Sequence, residues 1–204
     1  METDHIKLLN KVCRDVMNEF SPDSEEETRR QGLFHELQSF IRGQFSGAQL
    51  TLYGSSCNGF CRVQSDLDIC LTIESNKDGK DHQGVYIIQQ IARKLRKRKG
   101  LRQILLLTKA KVPIAKFYHE PTGLECDISL NNTLAQHNTR LLKAYSKIDE
   151  RVRILGYTFK HFAKICDIGD ASRGSLSSYA YILLTIYYLQ QCSPPIIPVL
   201  QECH

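Results

Sequence analysis

The sequence predicts an α+β fold, in which a mixed sheet with flanking helices is followed by the start of a helical domain. Between residues 46 and 132, short runs alternate apolar and polar side chains, which is the period of a strand. The segments on either side repeat their apolar residues at the helical period instead. We therefore expect N-terminal helices over 1–45, a sheet domain over 46–132, and a helical domain over 133–204 that is incomplete at its C-terminus.

The N-terminal part is predicted to form two helices, separated at Ser21–Ser24, where a proline and capping residues interrupt the pattern. The acidic run Glu25–Glu27 suits the positive first turn of the second helix. Strands are expected at Ala48–Tyr53, Asp66–Ile73, Leu101–Leu107, Ala110–Tyr118 and Gly123–Leu130. Pro113 favours an edge position or irregular pairing for the strand that contains it.

After Asn131 the pattern is helical. One apolar stripe at helical spacing consists of Val152, Leu155, Phe159, Phe162, Ala163 and Cys166. A further helix is expected at Ser177–Gln190, where the following Ser193-Pro194-Pro195 segment ends it.

Composition is typical of an intracellular globular protein. Apolar residues make up 42% and charged residues 24% of the 204 residues. No apolar run approaches the roughly 18 residues of a membrane helix, and the N-terminus lacks the apolar core of a secretory signal. Of the eight cysteines, Cys70 and Cys126 alternate with apolar residues and are expected to be small core thiols. Cys57 and Cys61 lack a second matching pair, so free thiols are favoured over a zinc site.

The net charge of +5 is unevenly distributed. Segment 93–99 carries six cations in seven residues. An apolar helical stripe stands behind it, formed by Val85, Ile88, Ile91, Ala92 and Leu95. Two interpretations stay open: a solvated helix face, or a surface that contacts RNA phosphates.

The chemistry is predicted at three aspartates. Asp66 and Asp68 are two residues apart on a strand, so their carboxylates share one face at about 6–7 Å spacing. Carboxylates this close repel each other, and a divalent cation such as Mg²⁺ or Mn²⁺ offsets that cost. Asp127 lies on a later strand in matching phase and can complete a three-carboxylate set.

Upstream of these residues, Gly54 and Ser55 open a turn into a short helix. Glycine permits a close approach of backbone to phosphate, and the serine hydroxyl can donate a hydrogen bond. Each piece alone is most often only a solvent-facing strand or an ordinary turn. The ordered set is more specific, and it is what a two-metal phosphoryl or nucleotidyl transfer requires.

At this point the sequence resembles a known family. Leu52–Ser56, Ser65–Asp68 and Glu125–Asp127 are similar to the signature of the polymerase-beta-like nucleotidyltransferases. Asn132–Arg140 and Gly174–Tyr179 resemble segments of noncanonical poly(A) polymerases and terminal uridylyltransferases. The resemblance is closest to the animal zinc-knuckle terminal uridylyltransferases, covers nearly the whole chain, and is especially characteristic at Cys166–Gly174.

The resemblance implies a template-independent transfer of uridylate from UTP to an RNA 3′ end. It implies Asp66, Asp68 and Asp127 as catalytic ligands of Mg²⁺ or Mn²⁺. The resemblance implies nine UTP-binding residues. Gly54 and Ser55 would hold the phosphates, and Lys160 and Lys164 would be cations on the triphosphate. Asn138 and Thr139 would contact the ribose and base edge, Ser178 and Tyr179 the nucleotide, and Ala135 the UTP at a part that is not specified. Lys160 and Lys164 are one helical turn apart, so both can reach one anion. Tyr179 is implied to stack on the uracil, although without the family a core position is favoured.

The chain departs from the family at Cys61–Gln64, which affects only local loop geometry, and mildly at Ile165-Cys166 and the basic segment, which affects RNA contacts at most. In the family the helical domain continues beyond residue 204. A nucleotide-recognition loop there separates uracil from adenine, so this chain is expected to be a fragment.

The resemblance further implies microRNA precursors or mRNA tails as RNA partners, no membrane partner, a monomeric core and a cytoplasmic location. Three rival hypotheses stay open: an adenylate-adding relative of the same fold, a non-catalytic RNA-binding domain, and a fragment too short to fold or turn over.

Overall fold

The computed structural model describes residues 3–73, 81–108 and 112–202, apart from the side chains of 81–83 and 172. The described chain forms two compact units. One, here called the sheet unit, comprises Pro22–Cys57 and Cys61–Arg140. The other, called the helical unit, comprises Met1–Ser21, Asn58–Phe60 and Leu141–His204. Each is treated by itself below.

Within the described residues, the sheet has five strands. They are β1 (Ala48–Tyr53), β2 (Leu67–Ile73), β3 (Leu101–Leu107), β4 (Ile114–His119) and β5 (Leu124–Leu130). The spatial order is β1-β2-β5-β4-β3. β2 and β5 are parallel and the other neighbours are antiparallel, so the sheet is mixed, as predicted.

The helices are α1 (Asp4–Phe20), α2 (Ser24–Gln44), α3 (Ser55–Asn58), α4 (Asp81–Leu95), α5 (Thr133–Ile148), α6 (Glu150–Ile165) and α7 (Ser178–Gln191). The helix α2 begins at Ser24 because the Asp23 carboxylate accepts a hydrogen bond from the Glu26 N–H, which satisfies an otherwise unpaired donor. None of the described helices is both long enough and apolar enough to cross a membrane.

The two faces of the sheet differ in chemistry. Leu67, Ile69 and Leu71 of β2 point to one face, where they are fully buried. There they belong to one apolar core with residues of α2 and α4, including Leu37 and Ile88. Burial of each such side chain contributes about 1.5–3 kcal/mol. The opposite face carries the polar residues of β2, including Asp68. The alternation predicted from the sequence therefore separates the face packed in the apolar core from the face that carries the candidate site.

The core of the helical unit includes Leu142, Tyr145, Tyr157, Ile182 and Ile186. The helix α1 lies against α6, where the Phe20 and His161 rings stack at 4.4 Å and Arg14 forms a 3.0 Å ion pair with Glu150.

Only part of the apolar stripe predicted on α6 is buried. Val152 and Ala163 are buried, but Phe159, Phe162 and Cys166 are exposed, and Ile154 and Tyr157 are buried in their place. The helix has apolar residues on two sides, and the helical period cannot show which of them faces the core.

Other sequence predictions have mixed outcomes. Cys70 and Cys126 are fully buried, as expected of core thiols. Pro113 predicted an edge position or irregular pairing for its strand. The edge position is wrong, because β4 lies between β5 and β3, but the pairing of β4 with β3 is irregular, with a register shift between Arg102 and Leu105. Pro113 directly precedes the first residue of β4, where no ladder hydrogen bond is needed. The start of the strand predicted at Ala110, and Cys203, lie outside the described residues. The predicted boundaries at 45/46 and 132/133 stay a prediction.

Candidate active site

The polar face of the sheet carries a row of four side chains. Tyr53 on β1 pairs with Asp68 on β2, Asp68 pairs with Asp127 on β5, and Asp127 pairs with Lys116 on β4. Directly paired residues project to the same side of a sheet. The strand register therefore brings two of the three predicted carboxylates side by side, and Asp66, two residues before Asp68, points to the same face.

Lys116 connects the carboxylates. Its Nζ lies 3.3 Å from Asp127 Oδ2 and 3.8 Å from Asp66 Oδ2. Asp127 is largely buried, with 13% of its side chain exposed, and its second oxygen, Oδ1, is buried without a hydrogen-bond partner. Sequence reasoning missed Lys116. The available signal was a lysine alternating with the buried Ala115 and Phe117 on a strand.

Burial and the neighbouring charges shift the pKa values of these groups. Burial, followed by the charges of Asp127 and Asp66, raises the pKa of Asp68 to about 7, against smaller opposite effects of Lys116 and Arg30. Burial also raises the pKa of Asp127, although Lys116 lowers it in part. Burial alone would lower the pKa of Lys116, but Asp127 and the other neighbouring carboxylates outweigh it and raise that pKa. The aspartates are therefore close enough to repel one another, and Lys116 neutralises their negative charge only in part.

Gly54 fits closely against Asp68. Its φ of +69° lies in the left-handed region, which favours glycine. A Cβ at this position would overlap the Asp68 carboxylate, with its Cγ at only 2.9 Å. The Gly54 N–H donates a 2.8 Å hydrogen bond to Thr139 Oγ1, and the Thr139 hydroxyl donates to the Ala135 carbonyl at 2.7 Å. The predicted residues Gly54, Ala135 and Thr139 are thus joined to one another by hydrogen bonds.

Arg30 is a second residue that sequence reasoning missed. It lies on α2, is 4% exposed, and pairs with the buried Glu26 at 2.9 Å. Its Nη1 donates to Ser56 Oγ at 3.3 Å, and its Nη2 donates to the Ser65 carbonyl at 2.5 Å. Ser56 belongs to the turn after Gly54, and Ser65 precedes Asp66. One buried guanidinium therefore holds both segments that flank the carboxylates.

Ser55 and Asn138 are half-buried, at the first residue of α3 and on α5 respectively. The remaining predicted residues belong to the helical unit. Lys160 Nζ donates to the Phe60 carbonyl at 2.8 Å, whereas Lys164 is exposed one turn later. Ser178 is exposed at the start of α7. Tyr179 is half-buried and packs against the core of this unit, so part of the ring serves packing.

The donor set of the row suits a hard divalent cation, because carboxylate oxygens are the ligands that Mg²⁺ and Mn²⁺ prefer. The unpartnered Asp127 Oδ1 supports this fit. Among the described residues, no three His, Cys, Asp or Glu side chains already form a metal-binding group. Lys116 instead supplies the positive charge between Asp66 and Asp127.

Solved structures show the class of protein to which this fold belongs. The chain matches the structure of mtPAP in complex with UTP with a TM-score of 0.87 and 25% identity, over 95% of this chain and 44% of that one. It matches the Cid1 poly(U) polymerase bound to MgATP with a TM-score of 0.85 and 31% identity, over 97% of this chain and 61% of that one. The fold is that of the polymerase-beta-like nucleotidyltransferases.

Sequence comparison places the chain more closely. It belongs to the family described as poly(A) RNA polymerase, mitochondrial-like, central palm domain, which matches residues 9–147. Human terminal uridylyltransferase 7 is 56% identical over 98% of this chain, and poly(A) RNA polymerase GLD2 of Danio rerio is 36% identical over 96%. The chain spans 13% of the length of the first of these relatives and 40% of the second.

Proposed function

We propose that this chain is the catalytic part of a template-independent RNA 3′-terminal uridylyltransferase, which transfers uridylate from UTP to an RNA 3′-hydroxyl and releases pyrophosphate. The observation that carries the proposal is the row of carboxylates on one sheet face, with Gly54 packed against Asp68. Crowded carboxylates beside a glycine turn suit a reaction in which phosphates and divalent cations must be held together.

In this proposal Asp66, Asp68 and Asp127 hold the divalent cations, Mg²⁺ or Mn²⁺. Bound there, two such ions would activate the attacking hydroxyl and stabilise the leaving pyrophosphate. The contacts of Arg30 with Ser56 and Ser65 keep the two flanking segments in place, so the carboxylates are positioned before substrate arrives.

Gly54 and Ser55 bind the nucleotide phosphates through the start of α3, and Lys160 and Lys164 add positive charge. Asn138 contacts the ribose and base edge. Ser178 contacts the nucleotide, and Tyr179 stacks on uracil with the part of its ring that is not packed. Because the Thr139 hydroxyl already accepts from Gly54 and donates to Ala135, we assign Thr139 and Ala135 the task of holding the glycine turn.

The preference for uridylate is supported by the relatives. The terminal uridylyltransferases are 54–56% identical to this chain, whereas the GLD2 poly(A) polymerases are 36–38% identical. An RNA 3′ end as the acceptor, a monomeric core and a cytoplasmic location are part of the same proposal. MicroRNA precursors or mRNA tails are the RNA classes that the family resemblance suggests.

A primer-extension assay tests this function. Labelled single-stranded RNA is incubated with each ribonucleotide separately and with Mg²⁺ or Mn²⁺, using this chain, a longer C-terminal form and its Asp68→Ala variant. We expect uridylate addition by the longer form and a loss of at least about 100-fold in the variant, since these charges act in the transition state.

Preferential adenylate addition would replace the proposal with the poly(A) polymerase alternative. No addition by the longer form would favour a non-catalytic RNA-binding role. If the longer form adds uridylate and this chain does not, residues beyond 204 are needed for turnover. Retained activity in Asp68→Ala would contradict the metal-ligand assignment.

A further inference from the structure

The function proposed above assigns no role to Lys116. Its ammonium bridges Asp127 and Asp66 from the neighbouring strand β4, at 3.3 and 3.8 Å. The side chain is 32% exposed, so the ammonium reaches the carboxylates from the open part of this sheet face and is not sealed in the core. Its partners are two of the residues proposed to hold divalent cations.

A lysine ammonium and a divalent cation cannot share these carboxylate oxygens without strong repulsion. The ammonium is attached to a flexible four-carbon stem, so it can leave without any movement of the backbone. Asp127 has one oxygen on Lys116 and one buried oxygen with no hydrogen-bond partner. Lys116 therefore neutralises this carboxylate through one oxygen, and the other oxygen can still bind a cation.

We propose that Lys116 is the counter-cation of the metal-free site, which a divalent cation must displace from Asp127 in order to bind. This inference rests on the proposed metal-dependent function. Its consequence is that a metal ion alone binds weakly, because it competes with a tethered charge. A metal ion that arrives with nucleotide phosphates brings additional ligands and binds more readily, so Lys116 favours joint entry of metal and UTP.

The test is Mn²⁺ binding to the nucleotide-free chain, followed by the electron paramagnetic resonance signal of free Mn²⁺. Lys116→Met removes the charge and keeps a flexible stem of similar length. Lys94→Met is the matched control, because it makes the same charge change at an exposed position in the last turn of α4. Lys116→Arg keeps the charge.

We expect Lys116→Met to bind Mn²⁺ at least about tenfold more tightly than wild type, given the removal of a charge within 4 Å. Lys94→Met and Lys116→Arg should stay within about twofold of wild type, since in them the local positive charge is unchanged. Unchanged or weaker Mn²⁺ binding by Lys116→Met would overturn the proposal.

A second measurement uses the wild-type chain, in case Lys116→Met does not fold. Lysine side chains are labelled by ¹³C reductive methylation, and the Lys116 resonance is assigned from its loss in Lys116→Arg. Addition of Mg²⁺ should shift this resonance toward that of a solvated lysine. A Lys116 signal unaffected by saturating Mg²⁺ would refute the displacement.

Asp127→Asn distinguishes a failure of the metal site from a failure of the role of Lys116. If this variant binds Mn²⁺ as well as wild type, the metal site itself is wrong, and the proposed function loses its basis. If Asp127→Asn weakens binding and Lys116→Met does not strengthen it, the metal site stands and only the role of Lys116 is refuted.

Discussion

The candidate site residues of the sheet unit and of the helical unit differ in how they are held. In the sheet unit, Asp68, Asp127 and Lys116 are neighbours by strand register, and Gly54 and Thr139 are joined by a hydrogen bond. In the helical unit, Lys160 donates a hydrogen bond to the Phe60 carbonyl, but Lys164 and Ser178 are exposed on the surface of α6 and α7. The difference is that the residues proposed to hold metal are positioned by strand pairing, whereas Lys164 and Ser178 are positioned by the helices that carry them.

Arg30→Met should break the organisation of the sheet unit most strongly. It removes the buried partner of Glu26 and leaves that carboxylate only its ion pair with the exposed Arg29. Removal of one partner of a buried ion pair costs up to about 3–5 kcal/mol. Chemical denaturation measures the loss. Arg29→Met is the control, since Arg29 contacts the same Glu26 from an exposed position. Equal effects of the two substitutions would contradict the assignment of Arg30 as the anchor of the site.

Gly54→Ala should have the next largest effect. The left-handed φ costs about 1–3 kcal/mol for a residue with a Cβ, and the added methyl group displaces the Asp68 carboxylate. We expect lower thermal stability and loss of uridylate addition together. Gly32→Ala in α2 has open space around its Cβ and should stabilise the chain slightly. A Gly54→Ala variant with wild-type activity would show that the close fit at Asp68 is unnecessary.

Tyr179→Ala tests the base-stacking role proposed for a residue of the helical unit. If the ring stacks on uracil, the variant loses roughly 1–3 kcal/mol of UTP binding, measured by calorimetry on the longer form with Mn²⁺. Tyr179→Phe should retain most of the affinity. Tyr187→Ala, 61% exposed on the same helix, is the control for general effects on α7. Unchanged UTP affinity with a lower melting temperature would show that Tyr179 contributes to packing and not to UTP binding.

Stability in the absence of metal should also depend on pH. Burial and the neighbouring carboxylates raise the pKa of Asp68 from 3.8 to about 7 in the folded chain. The folded state therefore binds this proton more tightly than the unfolded state, and its stabilising effect is complete below the ordinary aspartate pKa and is lost as pH rises to about 7.

The measurement is the difference in melting temperature between wild type and Asp68→Asn, in a chelating buffer, across this range. Wild type should lose stability relative to the variant as pH rises. A difference that does not vary with pH would show that Asp68 titrates normally.

The sequence allowed the carboxylate face to be predicted because alternation is local: Leu67 and Ile69 on one side place Asp66 and Asp68 on the other. Lys116 could not be found in this way, since its contact with Asp127 depends on the pairing of β4 with β5. Arg30 was hidden for a similar reason. It meets Ser56 and Ser65 across 26 and 35 residues of chain, and nothing local in α2 indicates such partners.

On the helices, the sequence pattern was less informative about which side is buried. The period predicted α6 correctly as a helix, but Phe159 and Phe162 are exposed while Tyr157 is buried. Which side of a helix is buried depends on what packs against it, and that information lies in other segments. Side-chain direction was therefore predictable on strands such as β2, where one side is apolar and buried, and not on a helix with two apolar sides.

The division of the chain into two units has a consequence for its synthesis on the ribosome. The helix α1 is made before α6, none of its residues is buried, and its ion pair to Glu150 spans 136 residues. The sheet unit is complete in sequence at residue 140, well before α6 has been made. Nascent chains can therefore assemble the sheet while α1 still lacks its partner helix, and the contacts between α1 and α6 form after the sheet.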